Sequence, residues 1–209
     1  MNPNEERTAQ TTVFVVVALI MLRLAAAAWT PLTFDEAYYW MWSKHLAGGY
    51  YDHPPMVALV IRAGTMIAGD TPFGVRLVSI LLALPMSWAV YRAGEILFGS
   101  QRVASNAAIL LNVTLMAAVG TMIVTPDAPL LVASSLLLFS LAKVLQTGRG
   151  AWWLAVGFSA GAALLSKYTA LFFGPAILIW LIAVPKLRHW FLSPWLYLGG
   201  LVALALFSP

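Results

Sequence analysis

Long apolar stretches separated by short polar interruptions run through nearly the whole chain. Seven of them approach the roughly 20 residues that a helix needs to cross a hydrocarbon layer. They cover residues 13–29, 73–98, 103–124, 128–145, 151–165, 169–184 and 195–208. Between the first and second lies a different pattern, TFDEAYYWMWSKHLAGGYYDHPPM over 33–56. Its first half places Tyr38, Trp42 and His45 at helical spacing and meets no Gly or Pro until Gly48. That predicts an aromatic helix over 35–46, and Trp and Tyr of this kind favour the bilayer surface. Pro54-Pro55 then opens a second apolar helix over 56–68, too short to span comfortably. The pattern therefore predicts an all-α integral membrane protein. It reads as a polytopic helical bundle of about seven spans, with a first outer loop, 31–72, of juxtamembrane amphipathic helices.

Composition strengthens this reading. The chain is 61% hydrophobic and 10% charged, against about 25% charged residues in soluble domains. With no cysteine, a disulfide framework, a zinc–thiolate site and a thiol nucleophile are excluded. The net charge of +4 comes from scattered basic residues rather than a patch, which argues against nucleic acid as a partner. Residues 1–12 are polar and read as a short cytoplasmic tail ahead of a transmembrane domain over 13–209. Arg23 interrupts the first apolar run, so 13–29 reads as an uncleaved anchor rather than a signal peptide. A buried structural partner is expected for Arg23.

Orientation follows from the short loops. Arg102, Lys143, Arg149, Lys186 and Arg188 fall in loops on one side, assigned to the cytoplasm. The opposite side collects five of the eight acids, Asp35, Glu36, Asp52, Asp70 and Asp127, together with Lys167. Ionisable groups at a membrane boundary are costly, so this outer face is the candidate site.

Each motif there has two readings. Asp35-Glu36 offers a general base and a neighbouring carboxylate, or a helix N-cap pair. In the YYDHPP turn, Asp52 and His53 offer a phosphate contact or proton donor, or a rigid link between helices. Asp127, in TPDAP, is a site acid or a cap of the fourth span. Lys167, in SKY, is a phosphate-binding charge or a snorkelling lysine. Arg62 and Arg76 are phosphate clamps or structural partners of Asp70 or Asp52. Asp35, Glu36 and His53 could supply ligands for a divalent metal, yet no spacing demands one, and the sequence points to no certain cofactor.

Taken in order, the outer DE, the aromatic helix, YYDHPPM, FGVRL, TPDAP and SKYTAL resemble the N-terminal part of a known family. These are the polyprenyl-phosphate-sugar-dependent C-type glycosyltransferases, which include the protein O-mannosyltransferases (glycosyltransferase family 39), lipid A aminoarabinose transferases and rhizobial galacturonosyltransferases. The resemblance runs from about residue 13 to the end of the chain. It implies an inverting sugar transfer from a polyprenyl-phosphate-sugar donor to a lipid, glycan or protein acceptor, at the periplasmic face of a bacterial inner membrane. It implies Asp35 as catalytic base with Glu36 beside it. Donor or acceptor contacts are implied for Tyr39, Asp52, His53, Arg62, Arg76, Asp127, Lys167 and Tyr168, with membrane lipids as surroundings. Two positions depart from the family pattern. His53 stands where aminoarabinose transferases often carry Lys, which argues against that sugar. Tyr168 follows Lys167 where the family has Gly. Members of the family carry more spans and often an outer C-terminal domain, so the chain is expected to be incomplete at its C-terminus. The competing classes are a lipid-linked-sugar transporter or flippase, and a non-catalytic membrane scaffold.

Overall fold

The computed structural model describes residues 3–208, with side chains from residue 5. Every regular element among them is helical. The first helix, α1, runs Pro3–Trp29 without a break, so the polar segment expected as a tail continues the first apolar helix; residues 1 and 2 lie outside the described part. The two outer-loop helices follow as α2, Phe34–Lys44, and α3, Met56–Ala68. Next come α4, Pro72–Leu81, and α5, Ala83–Phe98, which meet at Leu82 and together form one long rod. Thr71 caps α4 by accepting from the Gly74 amide at 3.0 Å, and Pro72 occupies the first turn, where its missing N–H costs nothing.

Gly99 ends α5 in the left-handed conformation (φ +61°) that only Gly adopts cheaply, and Ser100 caps α6, Gln101–Val113. After a break at Thr114 comes α7, Leu115–Gly120. The chain continues through α8, Asp127–Thr147, a second left-handed glycine at Gly148, and α9, Trp152–Leu164. A 3-10 turn, Tyr168–Phe172, leads into α10, Phe173–Ala183; another 3-10 segment, Pro185–Leu192, precedes α11, Pro194–Phe207.

The expected number of spans is corrected. Among the described residues, three helices are long and apolar enough to cross a membrane, Glu5–Trp29, Pro72–Phe98 and Asp127–Thr147. A fourth is obtained if the pair Tyr168–Ala183 and Pro185–Leu192, bent by 119°, counts as one. The segment expected as the third span, 103–124, is broken because Thr114 turns extended (ψ 145°) and its hydroxyl caps α7 instead of letting α6 continue. The 13 residues of α6 reach about 20 Å at 1.5 Å per residue, short of the roughly 30 Å hydrocarbon layer.

Arg23 explains how that break is tolerated. Its guanidinium reaches from α1 to the Asn112 carbonyl at 2.5 Å and the Asn112 side-chain oxygen at 3.3 Å, at the end of α6. The Asn112 amide in turn donates to Ser87 on α5 at 2.6 Å. A cation thus satisfies a helix-end carbonyl inside the bundle, as buried broken helices require. This is the structural partner expected for Arg23.

Helices α9 and α11 meet at small residues. A Cβ on Gly157 would lie 2.0 Å from the Gly199 carbonyl oxygen, and one on Gly199 2.4 Å from the Trp153 oxygen. The backbones touch because no side chain intervenes. Gly157→Ala is therefore expected to destabilise the protein by about 1–3 kcal/mol. The check is the melting temperature in detergent; an unchanged value would contradict this close approach.

The bundle has two chemically different ends. At one, the Thr12 hydroxyl on α1 donates to Ser105 on α6 at 2.8 Å, one helical turn from Arg102. At the other, the end of α1, the α2–α3 loop, the turn before α8 and the end of α9 converge. There the Val124 amide donates to Glu36 at 3.1 Å and the Met56 amide to the Leu165 carbonyl at 3.0 Å.

Candidate active site

The acidic end is organised by α2. Thr33 and Glu36 form a capping box: the Thr33 amide donates to Glu36 Oε2 at 2.9 Å, and the Glu36 amide reaches the Thr33 hydroxyl at 3.4 Å. The helix turns Tyr39, Trp42 and Ser43 inward with Glu36, leaving Phe34, Tyr38 and Met41 outward. The buried aromatics pack against Val57, Ala58 and Ile61 of α3 and against Val124. The following loop folds back because the Tyr50 ring stacks on Trp42 at 4.4 Å and its hydroxyl donates to the Trp42 carbonyl.

Two expected site residues are bound to each other. Glu36 and Arg76 are both fully buried and bonded to each other, Nε to Oε1 at 2.7 Å and Nη2 to Oε2 at 2.6 Å. The remaining Arg76 donors reach the carbonyls of Ala27, Thr30 and Pro31. All five guanidinium N–H groups are used, so none is left to clamp a phosphate. Glu36 also accepts from Thr33 and Val124, so its carboxylate is taken up by structural contacts. Burial pushes its carboxyl upward, but the Arg76 hydrogen bond, the two amides and the Arg76 charge outweigh this and hold it below the ordinary range. The pair ties α4 to the end of α1, the start of α2 and the approach to α8.

The N-cap reading of Asp35 also fails, since Thr33 occupies the cap. Asp35 is exposed in the first turn of α2, where the helix dipole favours a carboxylate. Among the described residues, no hydrogen bond or ion pair takes up its side chain.

Tyr39 marks the centre of the cluster. Burial raises its phenol first, and the charges of Asp35, Asp52 and Asp127 then raise it further. Its ring lies 6.0 Å from that of His53. Asp52 accepts from the Tyr38 hydroxyl at 3.1 Å, and Asp127 accepts from Lys167 at 2.8 Å. Asp35, Tyr39, Asp52, His53, Asp127 and Lys167 thus come together from four separated stretches of chain. Tyr168 begins the 3-10 turn beside Lys167 and lines a cleft of about 420 Å³ with Gly48, Pro54, Pro55 and Phe207.

Arg62 lies apart. It is exposed on α3, and no hydrogen bond or ion pair joins it to that cluster among the described residues. Its charge acts on Asp70, whose carboxyl is lowered first by the Lys44 hydrogen bond, then by the Trp40 indole. The ion-pair partner of Asp70 is Lys44 rather than Arg62. No group of three His, Asp or Glu among the described residues is close enough to hold a metal ion. Sequence reasoning missed Thr33 and Tyr38. The T-x-x-E spacing of Thr33 and Glu36 was a readable signal for the first; nothing in the pattern announced the Tyr38–Asp52 bond.

Comparison with known proteins identifies the family. The family model of dolichyl-phosphate-mannose-protein mannosyltransferases matches residues 52–209, well over half of the chain. The chain belongs to this family. A curated relative, the lipid A galacturonosyltransferase RgtD of Rhizobium johnstonii, is 29% identical over 176 residues, covering 84% of this chain and 36% of the relative. The fold matches the Saccharomyces cerevisiae protein O-mannosyltransferase Pmt1–Pmt2 complex bound to the sugar donor. The TM-score is 0.70 at 20% identity, over the whole of this chain and 32% of that one. The chain thus spans about a third of the length of each. This member of the mannosyltransferase family carries Asp52, His53, Asp127 and Lys167 inside the matched region and Asp35 ahead of it.

Proposed function

We propose that the protein is a membrane glycosyltransferase. It moves a sugar from a polyprenyl-phosphate-linked donor to an acceptor hydroxyl or amine on a lipid, glycan or protein. The observation that carries this reading is the Asp35 carboxylate, without a hydrogen-bond or ion-pair partner among the described residues and exposed beside the Tyr39, His53 and Asp127–Lys167 group in a chain of this family. Asp35 takes the acceptor proton, and the acceptor oxygen or nitrogen attacks the anomeric carbon from the face opposite the phosphate. The bond from that carbon to the phosphate oxygen breaks, its electron pair stays on the phosphate, and the configuration inverts. The protein's contribution is positioning and charge stabilisation, since the phosphate is already a fair leaving group. Lys167 and His53 face the phosphate; Tyr39, Asp52 and Tyr168 border the sugar and acceptor. The gathering of acids at one end and basic loops at the other supports an active site on the periplasmic face of a bacterial inner membrane.

The test is transfer of label from a polyprenyl-phosphate-sugar pool in membranes, with the protein at the length the cell makes it. Lys167→Met is expected to lower kcat/KM for the donor by about 10- to 100-fold, the worth of a charge-assisted hydrogen bond. An unchanged donor dependence would remove Lys167 from the site. Absence of transfer across a broad panel of donors would overturn the enzyme reading itself.

A further inference from the structure

Two of the ion pairs at this end of the bundle differ in a way that bears on turnover. Glu36–Arg76 is sealed, with every guanidinium donor used. Asp127–Lys167 is open: the side chains are 28% and 31% exposed. Lys167 spends one of its three donors on Asp127 Oδ1, and among the described residues no hydrogen bond reaches the second Asp127 oxygen. The pair joins the first turn of α8 to the short turn between α9 and the 3-10 segment, so the carboxylate is fixed by its helix and the lysine stands at the cap of the 3-10 turn.

A phosphate that binds Lys167 must share it with this carboxylate. Transfer changes the charge of that phosphate. The donor is a phosphodiester with one negative charge. When the bond from the anomeric carbon to oxygen breaks, the electron pair remains on the lipid phosphate and the acceptor proton passes to Asp35. The product is a phosphomonoester, which carries about −1.5 to −2 near neutral pH. A lysine standing alone would hold this product more tightly than the substrate. A fixed carboxylate beside the lysine repels the more highly charged product more strongly than the donor, in proportion to charge.

We infer that Asp127 is a product-release residue: it tunes Lys167 to prefer the donor phosphodiester over the polyprenyl phosphate product, and it reclaims the lysine when the product leaves. The inference rests on Lys167 as the donor-phosphate group of the proposed reaction. Asp127 is a positioning residue in this account and makes no bond to the reacting carbon.

The experiment compares polyprenyl phosphate binding and product inhibition with donor kinetics in the full-length protein. Asp127→Asn keeps the shape and removes the charge. It is expected to tighten polyprenyl phosphate binding and lower its inhibition constant by about tenfold, from one unit charge removed at hydrogen-bonding range. The donor KM should fall by a smaller factor, and kcat should fall as release becomes slow. Asp127→Glu should restore the wild-type ratio of product to donor affinity. Adding Lys167→Met to Asp127→Asn should abolish the gain, because the two residues act through one contact. Equal weakening of donor and product binding in Asp127→Asn would overturn the inference, as would an unchanged inhibition constant. Polyprenyl phosphate binding that is unaffected by Lys167→Met would remove the assignment of Lys167 and this inference with it.

Discussion

Asp35→Asn is expected to reduce sugar transfer by about two to four orders of magnitude, the usual contribution of a positioned general base. The substitution is nearly isosteric, and the Asp35 carboxylate has no hydrogen-bonded partner to lose among the described residues. The cap of α2 belongs to Thr33 and Glu36 and is untouched. The structural cost is limited to the favourable dipole interaction of a first-turn carboxylate, about 0.3–1 kcal/mol. Melting temperature and polyprenyl phosphate binding should therefore stay close to wild type while the initial rate of label transfer collapses. Asp35→Glu should recover part of the rate, because the base returns at a displaced position. Transfer by Asp35→Asn within tenfold of wild type, at equal membrane level, would exclude Asp35 as the base.

Glu36→Gln is expected to have the opposite signature, a large loss of stability that drags activity down with it. Removing one partner leaves Arg76 charged, fully buried and without its carboxylate, at a cost of about 3–5 kcal/mol. The change also weakens the capping box and the Val124 contact. Arg76→Met should be similarly severe, because it strands Glu36 and the carbonyls of Ala27, Thr30 and Pro31. The double variant Glu36→Leu with Arg76→Met should cost less than the sum of the two, since neither charge is left unpaired. Melting curves of the purified protein decide this; additive losses would mean that the two side chains do not act as a unit.

The same pair sets an acid limit. The Glu36 carboxyl is held lower in the folded protein than in the unfolded chain, where a glutamate titrates near about 4.3. Its stabilisation is therefore fully present above that value and is lost as pH falls through the depressed folded value. Stability should be flat with respect to Glu36 near neutrality and drop in acid, and the drop should be smaller in Glu36→Gln. A Glu36→Gln protein with the wild-type acid profile would contradict this.

Helix positions were legible because they follow from local patterns. The second outer helix was expected over 56–68 and is Met56–Ala68. The aromatic helix was expected over 35–46 and is Phe34–Lys44. Which of its aromatics face inward was less legible. Tyr38, Trp42 and His45 shared the expected stripe, yet Tyr39, Trp42 and Ser43 are buried and His45 is exposed. The reason is external to the helix: Glu36 must reach Arg76 and Val124, and this fixes the rotation of α2.

The sequence by itself determined an all-helical membrane architecture, its two chemically opposite ends and the set of residues from which a site could be drawn. Apolar runs, capping residues and charge in short loops are properties of neighbours along the chain. The tertiary structure alone decided which charges are free to act. Asp35 and Glu36 are adjacent and chemically alike, but one faces outward and the other is locked to an arginine 40 positions away. Lys167 meets Asp127 at the same sequence distance, 40 positions, yet remains half open. Burial and pairing of ionisable groups depend on what other helices bring beside them. That three-dimensional surplus separates the proposed base and the proposed phosphate-facing lysine from a structural ion pair built of the same residue types.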